Sequence, residues 1–217
     1  MRVRRLPDDL PETLDGTLLL SGMHPKALQQ GGERYGGDEV RLMEGLAQRV
    51  YGYVALLRSM RHLHGDRSEP FEERPFRVVR RPVLDQDGEG LLVEGRAPSF
   101  WVHLGHGPGD DASEPDEVVV SLGDDERGPW WEVEAIAEHL RSSDGQTLWV
   151  GLPLCNGALV AERLVDEGAC LRAHGPATSL PDAWSAIPLL HGGIESVARD
   201  VLMLSHSRDR RLDAESP

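Results

Sequence analysis

The chain has 217 residues, of which 39% are apolar, and it carries a formal net charge of −14. This length and apolar content predict a folded protein with a sizeable core and exclude a disordered chain. The acidic charge argues against a nucleic-acid partner or an anionic membrane surface, because phosphate groups are bound by Lys and Arg.

Apolar runs and spacings predict alternating strands and helices along the chain. In order, the predicted elements are strand 17–20, helix 40–61, strand 76–79, strand 100–104, strand 118–120, helix 133–140, strand 148–154, helix 156–167, strand 169–173 and helix 186–204. Two of the strands are apolar throughout, which is typical of a parallel sheet that is buried on both faces.

This alternation predicts a single α/β domain over residues 1–207. Its expected architecture is a three-layer α/β/α sandwich with a mostly parallel central sheet. Residues 208–217 are polar and are predicted to form a C-terminal tail. No repeat and no shift in composition indicates a second domain.

Targeting signals and cysteine content predict a cytoplasmic location. The basic residues 1–5 are followed by Leu-Pro-Asp-Asp at 6–9, so we expect no secretory signal. No run approaches the roughly 20 apolar residues that a membrane helix requires. The two cysteines, Cys155 and Cys170, are too few for a disulfide framework, which fits a reducing compartment.

Cys155 is the first candidate for covalent chemistry. It follows the predicted strand 148–154 and precedes the predicted helix 156–167. The thiol is therefore expected at the C-terminal edge of the sheet and at a helix N-terminus, where the helix dipole and free N–H groups favour the nucleophilic thiolate. A buried core cysteine is the alternative, since free cysteine is among the most buried residue types.

Two histidines are candidates for the base that a cysteine nucleophile requires. His174 follows a predicted strand and lies 174 − 155 = 19 residues after Cys155. His106 follows another and lies 155 − 106 = 49 residues before it. His103 lies within a strand and is expected to be a core residue.

An acid that orients the base is sought at the same edge of the sheet. Asp116 and Glu117 directly precede the predicted strand 118–120, so either carboxylate is a candidate. The run 105–109, Gly-His-Gly-Pro-Gly, lacks the layout of a dinucleotide-binding loop. Walker, zinc-ligand and G-x-S-x-G patterns are absent, so we expect no cofactor and no metal.

The order of these motifs resembles the cysteine-class pyroglutamyl (pyrrolidone-carboxylate) peptidases. The resemblance covers roughly residues 17–204 and rests on short motifs: Leu20-Ser21-Gly22-Met23, Arg81-Pro82-Val83, the stretch from Glu114 to Ser121, Cys155-Asn156 and His174-Gly175-Pro176. The separation of 116 − 105 = 11 residues between Gly105 and Asp116 is the one expected from that family.

This resemblance implies an α/β/α sandwich in which Cys155 is the nucleophile and His174 the base. Asp116, or Glu117 if the alignment shifts by one residue, would orient His174. The implied activity is removal of an N-terminal pyroglutamyl or similar small residue from a peptide. The implied partner is therefore a small peptide substrate, and a homo-oligomer is left open.

A second resemblance is to caspase-like and CHAT peptidases. In those proteins one apolar strand ends in His-Gly and another ends in the nucleophilic cysteine, as at His106-Gly107 and Cys155. This interpretation makes His106 the base and His174 incidental. A third hypothesis is a catalytically weakened relative that binds a partner or peptide, suggested by the Asp in place of the family's Glu and by a shortened loop after it.

Overall fold

The structure is a computed structural model. It describes residues 16–22, 41, 44–45, 47–49, 51–52, 75–81, 84, 89–108, 118–121, 130–178 and 189–196. Asp116, Glu117 and the predicted tail 208–217 lie outside the described residues.

Seven strands, two helices and one 3-10 turn have defined bounds within these ranges. The strands are β1 Thr17–Ser21, β2 Arg77–Arg81, β3 Phe100–His103, β4 Val119–Ser121, β5 Trp130–Glu132, β6 Thr147–Gly151 and β7 Cys170–His174. The helices are α1 Val133–Ser142 and α2 Gly157–Asp166, and the 3-10 turn is Glu89–Leu91. Residues 189–196 and the described residues among 41–52 are also helical.

Five strands form a parallel sheet in the order β2-β1-β3-β6-β7. The prediction of an α/β fold with a mostly parallel central sheet is confirmed. All the carboxyl ends of these strands lie at one edge, which is where ligand sites of such sheets are found. The three central strands, β1, β3 and β6, are buried at every position, and their middle residues are apolar.

The two faces of the sheet are covered by different helices. Leu19, Trp101 and Val150 are aligned across β1, β3 and β6, and they belong to the core that α1 and α2 complete. On the opposite face, Tyr51 contacts Phe76, which in turn contacts Phe100. The helical segment 189–196 also packs on that face, where Leu190 lies beside Gly151. Helices therefore cover both faces of the sheet, which gives three layers.

The turn between β6 and α2 differs from the prediction. The strand ends at Gly151, three residues earlier than predicted, and the Leu154 N–H bonds to the Leu152 carbonyl. Asn156 has the left-handed conformation, φ 52° and ψ 27°, and α2 begins directly after it. At the other end Gly168, with φ +77°, ends the helix as predicted because its N–H bonds to the Val165 carbonyl.

The predicted strand 118–120 does not join the central sheet. It corresponds to β4, which pairs antiparallel with β5, a strand that the sequence patterns miss. Both sides of β3 are already occupied, by β1 and β6, so β4 has no place beside it. An isolated bridge between His106 and Ser121 instead connects this hairpin to the loop after β3.

The helices that the structure describes include none with both the length and the apolar character needed to cross a membrane.

Candidate active site

Cys155 lies at the predicted edge of the sheet, in the turn that connects β6 to α2. Its side chain is partly buried, whereas Cys170 on β7 is buried in the core. Of the two thiols, Cys155 is therefore the one that solvent reaches more readily. This partial exposure differs from the burial expected of a core cysteine, which was the alternative.

The N–H groups around the start of α2 already have partners. The Gly157 N–H bonds to the Leu154 carbonyl at 3.0 Å and the Ala158 N–H bonds to the Pro176 carbonyl at 2.8 Å. The Asn156 N–H bonds to the Thr178 carbonyl at 3.3 Å. The expectation of free N–H groups at this helix end is thus wrong, because the segment after β7 supplies carbonyls to them.

The loop after β3 lies directly against the turn that carries Cys155. The Asn156 side chain donates from Nδ2 to the Pro108 carbonyl at 3.0 Å. Gly107 has no room for a side chain, since a Cβ there would meet the Cys155 carbonyl oxygen and lie 2.6 Å from Leu154 Cδ1. His106 precedes these two contact residues, so its backbone lies within one residue of the contact with Cys155.

The strand register supports the same neighbourhood. Val102 on β3 lies opposite Gly151 on β6. β3 ends at His103 and β6 at Gly151, so the loop that carries His106 and the turn that carries Cys155 both leave the carboxyl edge of neighbouring strands. His174 lies opposite Gly151 itself, four residues before the cysteine.

His174 ends β7 as predicted. Its ring, however, has a hydrogen-bond partner in Trp149 of β6. The buried Trp149 indole donates from Nε1 to His174 Nδ1 at 3.1 Å. A Cβ added at Gly193 would lie 2.8 Å from His174 Cγ, so the segment 189–196 also packs on this ring. Because a neutral imidazole has one acceptor nitrogen, the lone pair of His174 points at Trp149.

His103 is a core residue, as its place within a strand predicts. It has no exposed surface, and its ring lies between Ser21 Oγ, 2.9 Å from Nδ1, and the Ser121 carbonyl, 2.7 Å from Nε2. Burial lowers the pKa of His103 to about 4; the bond to Ser121 opposes this shift, and the electrostatic interaction with His106 adds to it. The ring is therefore neutral at physiological pH.

The neutral state of His103 makes stability depend on pH. The unfolded chain takes up a proton at about pH 6.5, whereas the folded protein resists protonation down to about pH 4. The unfolded state thus binds more protons in this window, and the free energy of unfolding falls as the pH is lowered. We expect a loss of about 3 kcal/mol between the two pKa values, with the full contribution present above the higher one.

Urea unfolding at about pH 7 and about pH 4.5 checks this expectation. Between these two pH values the free energy of unfolding should decrease less in His103→Gln than in wild type. The difference should be most of the expected loss of about 3 kcal/mol. The matched control, Ile136→Val, lowers stability without changing a titratable group and should keep the wild-type decrease. An equal decrease in all three proteins would contradict the role of His103.

The contacts of three residues of the site were not predicted from the sequence, although two of them belong to the quoted motifs: Gly107, Trp149 and Asn156. Asn156 carried a detectable signal, since Asn is enriched in the left-handed conformation that ends one element before another begins. The partners of Gly107 and Trp149 come from distant parts of the chain and leave no local pattern. Within the described residues, no group of three or more His, Cys, Asp or Glu side chains is placed to hold a metal ion.

The candidate acids, Asp116 and Glu117, lie outside the described residues, so their roles stay predictions. In comparisons with known proteins, no protein-family model and no curated protein matches the chain.

Proposed function

We propose that the protein is a cysteine peptidase in which Cys155 is the nucleophile and His106 is the base. The observation that carries this proposal is the contact between the two chain segments that bear them. Gly107 packs on the Cys155 carbonyl, and Asn156 binds the Pro108 carbonyl. A nucleophile and its base must lie within hydrogen-bond reach of each other, and these contacts hold the two backbones together.

His174 is the weaker candidate for the base, although it lies on the strand next to β6. To act as a base it would have to release the Trp149 indole, which would leave a buried N–H without an acceptor. Its ring also lies under Gly193, on the face of the sheet that carries Trp149. The proposed pair therefore corresponds to the resemblance to caspase-like and CHAT peptidases.

The proposed reaction is hydrolysis of a peptide bond by general acid–base and covalent catalysis. His106 takes the proton from the Cys155 thiol, and the thiolate attacks the carbonyl carbon of the scissile bond. The tetrahedral intermediate collapses as His106 gives that proton to the leaving amine, which leaves an acyl-thioester on Cys155. Water, activated by the same imidazole, then hydrolyses the thioester and frees the thiol.

The oxyanion of the intermediate requires backbone N–H donors. The N–H groups at the start of α2 are bonded to carbonyls of the chain, at distances of 3.3 Å or less. We therefore assign the oxyanion to N–H groups of the loop 105–107, which faces Cys155 across the Gly107 contact.

Hydrolysis of fluorogenic peptides tests the proposal. The panel contains a pyroglutamyl substrate and peptides with a basic or an acidic P1 residue. We expect turnover of an internal-bond substrate, reduced at least about 10³-fold in Cys155→Ala. Cys170→Ala, which alters the buried thiol, should retain activity.

The outcomes of this panel separate the hypotheses. Cleavage of the pyroglutamyl substrate alone would favour the first family resemblance. The absence of turnover in the entire panel, with Cys155 no more alkylatable than Cys170, would contradict the proposal and favour a peptide-binding module.

A further inference from the structure

A chain of hydrogen bonds leads from the centre of the sheet to the loop that carries His106. It begins at the buried Trp101 indole, which donates from Nε1 to Ser21 Oγ at 2.8 Å. Ser21 lies 2.9 Å from His103 Nδ1, and His103 Nε2 lies 2.7 Å from the Ser121 carbonyl. The Ser121 N–H then donates to the His106 carbonyl at 2.9 Å.

The direction of every bond in this chain follows from the chemistry of its ends. A carbonyl oxygen only accepts, so His103 Nε2 carries the ring proton and donates to Ser121. Nδ1 is then the acceptor and receives the Ser21 hydroxyl proton, while Ser21 Oγ accepts from the donor-only indole of Trp101. The neutral ring that this arrangement requires is also the one that burial favours.

Two glycines fix the ring of His103 in place. A Cβ added at Gly22, whose φ is +75°, would lie 2.7 Å from His103 Cε1. A Cβ added at Gly105 would meet both His103 Nε2 and the Ser121 carbonyl. Only residues without a side chain allow the backbone to approach the ring this closely, so its position is fixed from both sides.

We propose that His103 is a positioning residue for His106, which it acts on through Ser121. The hydrogen-bond chain from Trp101 through Ser21 and His103 to Ser121, called the relay below, holds β4 at the end of β3. The Ser121 N–H of β4 in turn binds the His106 carbonyl. Since the other side of the same loop is held by Asn156 on Pro108, His106 is fixed between two supports. This inference rests on the proposed role of His106 as the base.

Hydrogen exchange tests the relay without reference to activity. His103→Leu removes the donor to Ser121, whereas His103→Gln keeps an amide donor of similar reach. We expect the Ser121 amide to exchange at least about 10-fold faster in His103→Leu and at nearly the wild-type rate in His103→Gln. The matched control is Ile136→Val, a core change in α1 that lowers stability without touching the relay.

Kinetics with the cleaved peptide supply the second readout. In His103→Leu we expect kcat to fall about 10-fold or more while KM changes by less than about twofold, with recovery in His103→Gln. Unchanged Ser121 exchange in His103→Leu overturns the inference. A wild-type protein that cleaves no peptide, yet shows the exchange pattern, overturns the proposed function and leaves the relay standing.

Discussion

Replacing His106 by alanine is expected to lower kcat/KM for the cleaved peptide by about 10²- to 10⁴-fold, the usual contribution of a general base. The free energy of unfolding should change by less than about 1 kcal/mol, because the side chain is only partly buried. His174→Ala should behave in the opposite way. It removes the acceptor of the buried Trp149 indole, so we expect it to destabilise the fold by about 1–3 kcal/mol.

The two variants are compared by steady-state kinetics and by urea unfolding on the same preparations. We expect the two variants to differ. His106→Ala should lose activity and keep its free energy of unfolding, whereas His174→Ala should lose stability and largely keep kcat. If activity is lost in His174→Ala and retained in His106→Ala, the base is His174 and the pyroglutamyl-peptidase interpretation is favoured.

Replacing Gly107 by alanine is expected to affect both stability and activity. The new methyl group would overlap the Cys155 carbonyl oxygen and lie 3.1 Å from the Cys155 carbonyl carbon. Backbone atoms cannot turn aside as a flexible side chain does, so either the His106 loop or the Cys155 turn must move. We expect a loss of about 3 kcal/mol in the free energy of unfolding. Because a displacement near 1 Å misaligns the reacting groups, kcat should fall about 100-fold.

Gly45→Ala is the matched control for this substitution. Gly45 is helical and has no atom within 4 Å of the position that a Cβ would take. The same chemical change should there raise the free energy of unfolding by about 0.5–1 kcal/mol and leave kcat unchanged. Urea unfolding and kinetics on both variants check the pair. Equal stability in Gly107→Ala and Gly45→Ala would contradict the close contact between the loop and the turn.

The central sheet was predictable because its strands are buried on both faces. Runs such as Leu18-Leu19-Leu20 and Phe100-Trp101-Val102 are apolar at every position, which is a strong local signal. The strand β5 gave no such signal. It has only three residues, Trp130 to Glu132, which is too short for an apolar or alternating pattern to stand out.

The candidate site was predictable as a place but not as a set of interactions. Parallel strands bring His106, Cys155 and His174 to one edge, and this follows from topology alone. Topology cannot choose between the two histidines, since His106 follows β3, His174 ends β7, and both strands lie next to β6. The choice depends on side-chain partners such as Trp149, which lies 25 residues before His174.

The N–H groups of α2 illustrate the same limit. A helix that begins after a cysteine predicts free donors, because the first N–H groups of a helix have no partner within it. In the folded chain Pro176 and Thr178 supply the carbonyls, and both come from the segment beyond β7. Such tertiary capping has no signature in the sequence around Cys155.

The most direct test of the Cys155–His106 pair is covalent labelling by peptide electrophiles that match the P1 classes of the substrate panel. Intact-mass analysis and peptide mapping would follow the labelling rate in wild type, His106→Ala and His174→Ala. We predict a single adduct on Cys155, formed about 100-fold more slowly in His106→Ala and at nearly the wild-type rate in His174→Ala. Labelling of Cys155 at one rate in all three proteins, or no faster than that of Cys170, would contradict the pair.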